Sequence, residues 1–401
     1  MSNHFYRTVV LVGDGIYVDI ATCYLAHQLR SVGVKVCRVR GLSTKELPIS
    51  IEVDHSIHVL NEELGIDFAK LMSSGVFIPK LANVCSFPEK KAYFESYSHV
   101  KDDLPAPLHQ VMARLIREGI ATEWESASPS VALHKAGKFH PDLHQFYRGN
   151  VRPYGGSINA QEYSEIVNAK SLALGVEFLN ASKIEVEGNF EERHISALHL
   201  NSGETLQNAF LIDMTPERCA IDFIDSLYIA KTEQNDLVYP NHSWVGNCLA
   251  IGEAAISFTT SAPVNSFEWL FKALVRFVDF FPCPARQNML AAEYNRLQKN
   301  DYVGLADFVK AYHSFLSGNS RELLPEKLRH RINLFAESCQ LSEEAADWAY
   351  ASYWPTLMQA GGIIPQYLPR RVQEIPLQYL VNWYSQRLQN INHLVGRAHT
   401  L

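Results

Sequence analysis

Gly13-Asp14-Gly15 follows the apolar run Val9–Val12 and precedes a helical pattern. Glycines in that setting let a backbone pass close to a pyrophosphate, and the helix dipole favours the anion. Val18 stands where the G-x-G-x-x-G pattern needs its third glycine, and Asp19 adds a carboxylate to the first helical turn. Val18 predicts a helix pushed off its strand or a partly filled phosphate site. Asp19 predicts repulsion of a phosphate. Arg38 and Arg40 stand near the end of the next strand, where a ribose acceptor is needed. Arginine only donates, so it cannot take that role. It suits a 2′-phosphate, which points to NADP; the plainer reading is a solvated arginine.

Other residues offer weaker chemistry. Lys80 lies among Phe77, Ile78 and Leu81. A lysine partly buried there has a lowered pKa and can donate a hydrogen bond to a reactive oxidant; the alternative is a lysine snorkelling from a strand end. His140 and His144 have H-x-x-x-H spacing, but Pro141 opposes the helix that would align both imidazoles. No metal site is expected. Gly155-Gly156-Ser157 is not a nucleophile elbow. Phe139, Phe146, Tyr147 and Tyr154 read as core.

The elements that position these residues are clearest at the start. Val9–Val12 reads as a strand buried on both faces. Ile20, Ala21, Tyr24, Leu25 and Leu29 recur at helical spacing, and Gly33 marks that helix's end. Val34–Arg40 alternates and reads as a second strand, completing a βαβ unit. Residues 55–120 read as mostly helical, with a break near Gly75–Pro88. Ala160–Leu174 reads as a helix and Gly175–Leu179 as a strand. Ile184–Glu187 and Ile195–Leu200, with turns at Gly188-Asn189 and Ser202-Gly203, predict a β-meander. Phe210–Asp213 is a further buried strand, and Trp244–Ile251 one more, ending at Gly252. Phe267–Phe280 is helical, as is everything after residue 285.

Composition sets the outer limits. The chain has 401 residues, 47% of them hydrophobic and 20% charged, which is globular. A net charge of −7 argues against a general nucleic-acid binder. The 7 cysteines include no C-x-x-C pair, so reduced thiols in a cytoplasm are the simple reading. No signal peptide and no transmembrane helix are expected, because the apolar runs are too short.

Two stretches carry a family resemblance. Val9–Leu25 (VVLVGDGIYVDIATCYL) and Trp244–Pro282 (WVGNCLAIGEAAISFTTSAPVNSFEWLFKALVRFVDFFP) together resemble the flavin-dependent tryptophan halogenases. Phe77–Leu81, Phe210–Thr215 (FLIDMT) and Trp354–Pro365 (WPTLMQAGGIIP) match further family segments in the same order. The resemblance implies an FAD module with a helical lobe. It implies that reduced FAD, oxygen and halide yield hypohalous acid, which passes through a tunnel to a Lys and a Glu that deliver halogen to an indole. It also implies a separate flavin reductase as partner. Lys80 matches the catalytic lysine. The catalytic glutamate falls at Ala262 or Pro263, neither of which accepts a proton. The W-x-W-x-I-P motif is missing, since no two of the 6 tryptophans are two apart. Between Asp213 and Trp244 the family has a much longer stretch, so one large internal deletion explains the short chain.

The expected architecture is α/β: a flavin-hydroxylase-like, Rossmann-type βαβ plus β-meander module over residues 1–50 and 150–282. A helical insertion with loops covers 51–149, and a mostly helical C-terminal lobe covers 283–401. The expected cofactor site is Gly13, Gly15, Tyr17, Val18, Arg40, Gly246 and Gly252, with Lys80 as the catalytic candidate. Three functions remain open. One is a divergent FAD-dependent oxidase or monooxygenase acting on a small molecule, without ordinary tryptophan halogenation. Another is a non-catalytic paralogue, its FAD site lost, that binds a ligand or partner. The third is an NADP-binding oxidoreductase. A homodimer is common among soluble enzymes, though nothing in the sequence places an interface.

Overall fold

The computed structural model describes residues 6–85, 92–96, 104–147, 152–224, 229–231, 237–258, 264–282, 287–317, 324–341 and 353–400. The chain divides into two compact units. The first comprises residues 1–56, 60–77 and 157–303, and the second residues 57–59, 78–156 and 304–401.

A six-stranded sheet organises the first unit. Its strands are β1 (Thr8–Val12), β2 (Lys35–Arg40), β3 (Glu177–Asn180), β7 (Phe210–Asp213), β8 (Trp244–Val245) and β9 (Cys248–Ala250), in the order β8-β9-β7-β1-β2-β3. All neighbours run parallel except β8, which turns back on β9. Val9–Val12 are fully buried, as expected for a central parallel strand. Helix α1 (Ile16–Leu29) packs between α2 (Ala160–Ala173) and α3 (Ser266–Asp279). That explains why it is buried nearly all round instead of along one stripe. The meander is β4 (Ile184–Asn189), β5 (His194–Leu200) and β6 (Thr205–Gln207). Phe210, Trp244, Phe277 and Tyr294 pack edge to face or tilted, with centroids 5.2–5.6 Å apart, and fix β7, β8 and α3 together.

The single strand expected over Trp244–Ile251 is a hairpin. Gly246 and Asn247 turn the chain between β8 and β9. Asn247 Nδ2 donates to the carbonyls of Ile195 and Ala209 at 2.9 and 3.0 Å, and its Oδ1 accepts from the Ile195 amide at 2.9 Å. An unbroken apolar run hides a turn whose polar group is satisfied from another strand.

The second unit joins the two helical stretches that sequence reading kept separate. Val111, Met112 and Leu115, on the helix Leu108–Arg117, share one apolar cluster with Val372, Leu380 and Tyr384. Arg114 donates to the Ile375 carbonyl at 2.6 Å, and Lys138 to that of Val395 at 3.0 Å. Strand Lys138–Phe139 pairs antiparallel with His399–Thr400. The break near residues 75–88 contains strands, Phe77–Lys80 and Ala82–Cys85 among them. Among the described residues no helix is long and apolar enough to cross a membrane.

Candidate functional site

The carboxyl ends of β1, β7 and β9 lie side by side, and each runs into a turn. In α/β sheets such strand ends are where ligands bind. After β1 comes Gly13-Asp14-Gly15. Gly15 caps α1 with φ 103° and no side-chain hydrogen bond, and a Cβ placed on it would meet nothing within 4 Å. This glycine borders open space. Gly13 does not. A Cβ there would lie 3.3 Å from both the Met214 backbone and Val18 Cγ2.

Met214 follows β7 and donates its amide to the Val12 carbonyl at 3.0 Å. Its Cε also sits 3.2 Å from where a Gly252 Cβ would be. Met214 thus meets Gly13 through its backbone and Cβ, and Gly252 through the end of its side chain. The buried carboxylate of Asp213 organises the turn that carries it. Asp213 accepts from the Thr215 amide (2.9 Å) and hydroxyl (2.6 Å), and from the Ala220 (2.7 Å) and Ile221 (3.0 Å) amides. Arg218 donates to the Ala254 carbonyl and to Asp222, tying this turn to the one after β9.

Asp19 and Arg38 behave differently from the sequence expectation. Both are buried and form an ion pair, and Ser164 of α2 donates to Asp19 at 2.5 Å. Arg38 is not a solvated arginine, and it is not available to a 2′-phosphate. Residues 36–39 of β2 are all buried, and Asp19 of α1 supplies the counter-charge. Burial lowers the Arg38 guanidinium to about 10, so it stays charged at neutral pH. For the same reason Asp19 presents no bare carboxylate to an incoming phosphate.

Arg40, exposed at the end of β2, donates to Asn180 at 2.9 Å and lies 5.0 Å from the centre of the Phe178 ring. Asp14 accepts from the Gly41 and Ser43 amides, both at 2.8 Å, closing the turn onto the loop after β2. Gly246 lies at the other end of β9 from Gly252, away from the strand-end turns. A Cβ on it would fall 1.6 Å from the Arg193 carbonyl oxygen, so this glycine serves the hairpin.

Tyr17 sits in the first turn of α1, half-buried. Burial pushes its phenol up to about 12, and the Glu253 and Glu52 carboxylates act in the same direction.

Lys80 belongs to the second unit, half-buried at the end of Phe77–Lys80. Its charge acts on His134, whose imidazole is held below its usual range first by burial and then by Lys80. Ala262 and Pro263 lie outside the described residues. His144 bonds the Pro141 carbonyl at 3.2 Å within a short 3-10 turn. Among the described residues no three His, Cys, Asp or Glu side chains gather for a metal.

The structure thus brings Gly13, Val18, Met214 and Gly252 into one packed wall, with Gly15 and Tyr17 beside it. These residues fit an FAD poorly. Val18 Cγ2 and Met214 Cβ pack onto Gly13, and Met214 Cε packs onto Gly252. Only Gly15 keeps the open backbone that a pyrophosphate needs. Sequence reasoning missed Met214 and the Asp19–Arg38 pair. The available signal was a Met directly after the apolar run FLID, and two opposite charges in segments otherwise apolar.

Comparison with known proteins places the fold. The tryptophan halogenase family model matches residues 8–221 and 232–376. Its one interruption falls in the short stretch between Asp213 and Trp244. The flavin-dependent halogenase BrvH from Brevundimonas sp. BAL3 superposes with a TM-score of 0.85 at 16% identity, covering 99% of this chain and 98% of that one. A tryptophan 6-halogenase, SttH, from Streptomyces toxytricini gives 0.85 at 15% identity, covering 98% of each chain. A tryptophan halogenase from Shewanella frigidimarina gives 0.81 at 14% identity, covering 100% of this chain and 97% of that one. No curated protein matches in sequence. At these identities the structural likeness speaks for the fold alone, an FAD-binding Rossmann-like α/β architecture. The match of the family model across nearly the whole chain goes further: this protein is a divergent member of the tryptophan halogenase family.

Proposed function

We propose that this chain keeps the halogenase fold as a non-catalytic scaffold that binds a small ligand or a partner, its strand-end crevice closed by its own side chains. The observation that carries the reading is the side-chain packing at two glycines, Val18 Cγ2 and Met214 Cβ at Gly13 and Met214 Cε at Gly252. Two missing parts support it. The sequence has no carboxylate where the family's catalytic glutamate stands, and no W-x-W-x-I-P segment. Lys80 is a half-buried cation whose charge acts on His134, and the family's glutamate is missing from the sequence.

The absorbance spectrum of the purified protein tests this, followed by oxygen consumption with free reduced FAD. A colourless protein that leaves oxygen uptake unchanged supports the scaffold. Flavin bands, or faster uptake, overturn it.

A second reading rests on Gly15. Its open φ 103° turn and the uncapped start of α1 are what a pyrophosphate would use. On that reading the chain is an FAD-dependent oxidase or monooxygenase supplied by a separate reductase. NADP has weaker support, because Arg38 is committed to Asp19 and Arg40 alone remains.

A further inference from the structure

We propose that the loop after β2 and the start of α2 form a binding site for a small organic cation with an apolar body. The site shares no lining residue with the strand-end crevice, so it goes beyond the closed-crevice reading and does not depend on it.

A cavity of about 480 Å³ lies here, lined by Glu46, Leu47, Pro48, Ile49, Asn159 and Gln161. All six residues belong to the first unit. The volume falls in the range of small-molecule sites. Its loop wall is fixed at both ends. Asp14 holds the beginning through the Gly41 and Ser43 amides, and Ser43 Oγ accepts from the Lys45 amide at 3.1 Å. At the far end the Ala160 amide donates to the Ile49 carbonyl at 3.1 Å. A wall ordered in advance lowers the entropic cost of binding.

The lining sets the ligand's chemistry. Leu47, Pro48 and Ile49 are three consecutive apolar residues, and Ile49 is 91% exposed. Apolar side chains left at the surface beside a cavity suit an apolar group of a ligand. The polar groups accept. Asn159 donates its side-chain amide to Glu162 at 3.1 Å, and Gln161 donates to Glu165 at 2.9 Å, which leaves the Gln161 carbonyl oxygen as an acceptor. Glu46 makes no hydrogen bond or ion pair with any described residue. Lys45, its basic neighbour in sequence, does not line the cavity. A carboxylate and a carbonyl beside apolar side chains match an ammonium donor on an aryl or alkyl body. The start of α2 does not turn the site toward anions, because Asn159 caps the Glu162 amide at 3.1 Å and Glu162 lies in the first turn.

The test is a calorimetric titration of the whole protein with 2-phenylethylammonium, beside its neutral isostere 2-phenylethanol and the anion phenylacetate. Wild type should saturate with the cation, bind the alcohol several-fold more weakly and ignore the anion. Glu46→Gln should weaken the cation by about threefold to fivefold, the size of an exposed ion pair, and leave the alcohol unchanged. Ile49→Ser should weaken cation and alcohol alike. Thermal melts of both variants should match wild type, because both side chains are exposed. No saturation with the cation up to about 20 mM overturns the site. So does cation binding that survives both substitutions, or a cation that binds no better than phenylacetate. FAD binding by the wild type, measured separately, overturns the closed crevice and leaves this site standing.

Discussion

Gly15 and Gly246 both come from the stretches that resemble the family, both have positive φ, and their surroundings are opposite. Gly15 opens onto empty space, while a Cβ on Gly246 would overlap the Arg193 carbonyl oxygen. One glycine leaves room for something outside the chain. The other makes room for the chain itself. A glycine in a family motif is therefore not evidence of a ligand until its surroundings are known. Gly13 and Gly252 extend the point, since Val18 and Met214 lie against the first and Met214 against the second.

The comparison can be broken at its most crowded point. Gly246→Ala forces the β8–β9 hairpin away from Arg193 and should cost about 3 kcal/mol or more, at the upper end for point substitutions. Urea unfolding measures it. A loss under about 1 kcal/mol would mean that the hairpin yields easily and that Gly246 is not structural.

A second test concerns the buried ion pair behind the glycine turn. The buried Arg38–Asp19 pair ties β2 to α1, with Ser164 adding α2. Arg38→Met leaves an uncompensated buried carboxylate and should cost about 3–5 kcal/mol. Adding Asp19→Leu should recover much of that loss, because the charge left behind is then gone. A double variant as unstable as the sum of its parts would show that the two residues act independently.

Gly15→Ala should have the smallest effect on stability, about 1 kcal/mol, from backbone conformation alone. The contrast with Gly246→Ala is the point, since the residue change is the same and only the surroundings differ. Equal losses at the two positions would erase the distinction drawn between them.

The sequence made the central framework legible. The β1–α1–β2 unit, α2, β3, the meander, β7 and α3 all appear where the pattern placed them, although the turn expected at Gly188-Asn189 falls at residues 190–193, after a strand that runs to Asn189. These elements carry their signals locally, in apolar runs, helical spacing and Gly or Asn turns. Features that depend on distant partners were not legible. The hairpin at Gly246 needs Arg193 and Ile195. Arg38 reads as solvated until Asp19 is seen against it. The helices near residues 110 and 380 look like separate lobes until Leu115 and Leu380 share a core. At the site, the incomplete glycine motif was visible from Val18, and Met214 directly after FLID was visible too, but its packing onto Gly252 needs the fold.

The most direct measurement is an FAD titration of the wild-type protein, followed by fluorescence quenching or calorimetry. The closed-crevice account predicts no saturable binding up to about 100 μM, which corresponds to a binding free energy weaker than about −5.5 kcal/mol. Saturable binding in the low micromolar range would contradict it, and would return Gly15 and the uncapped start of α1 to the role of a working cofactor cradle.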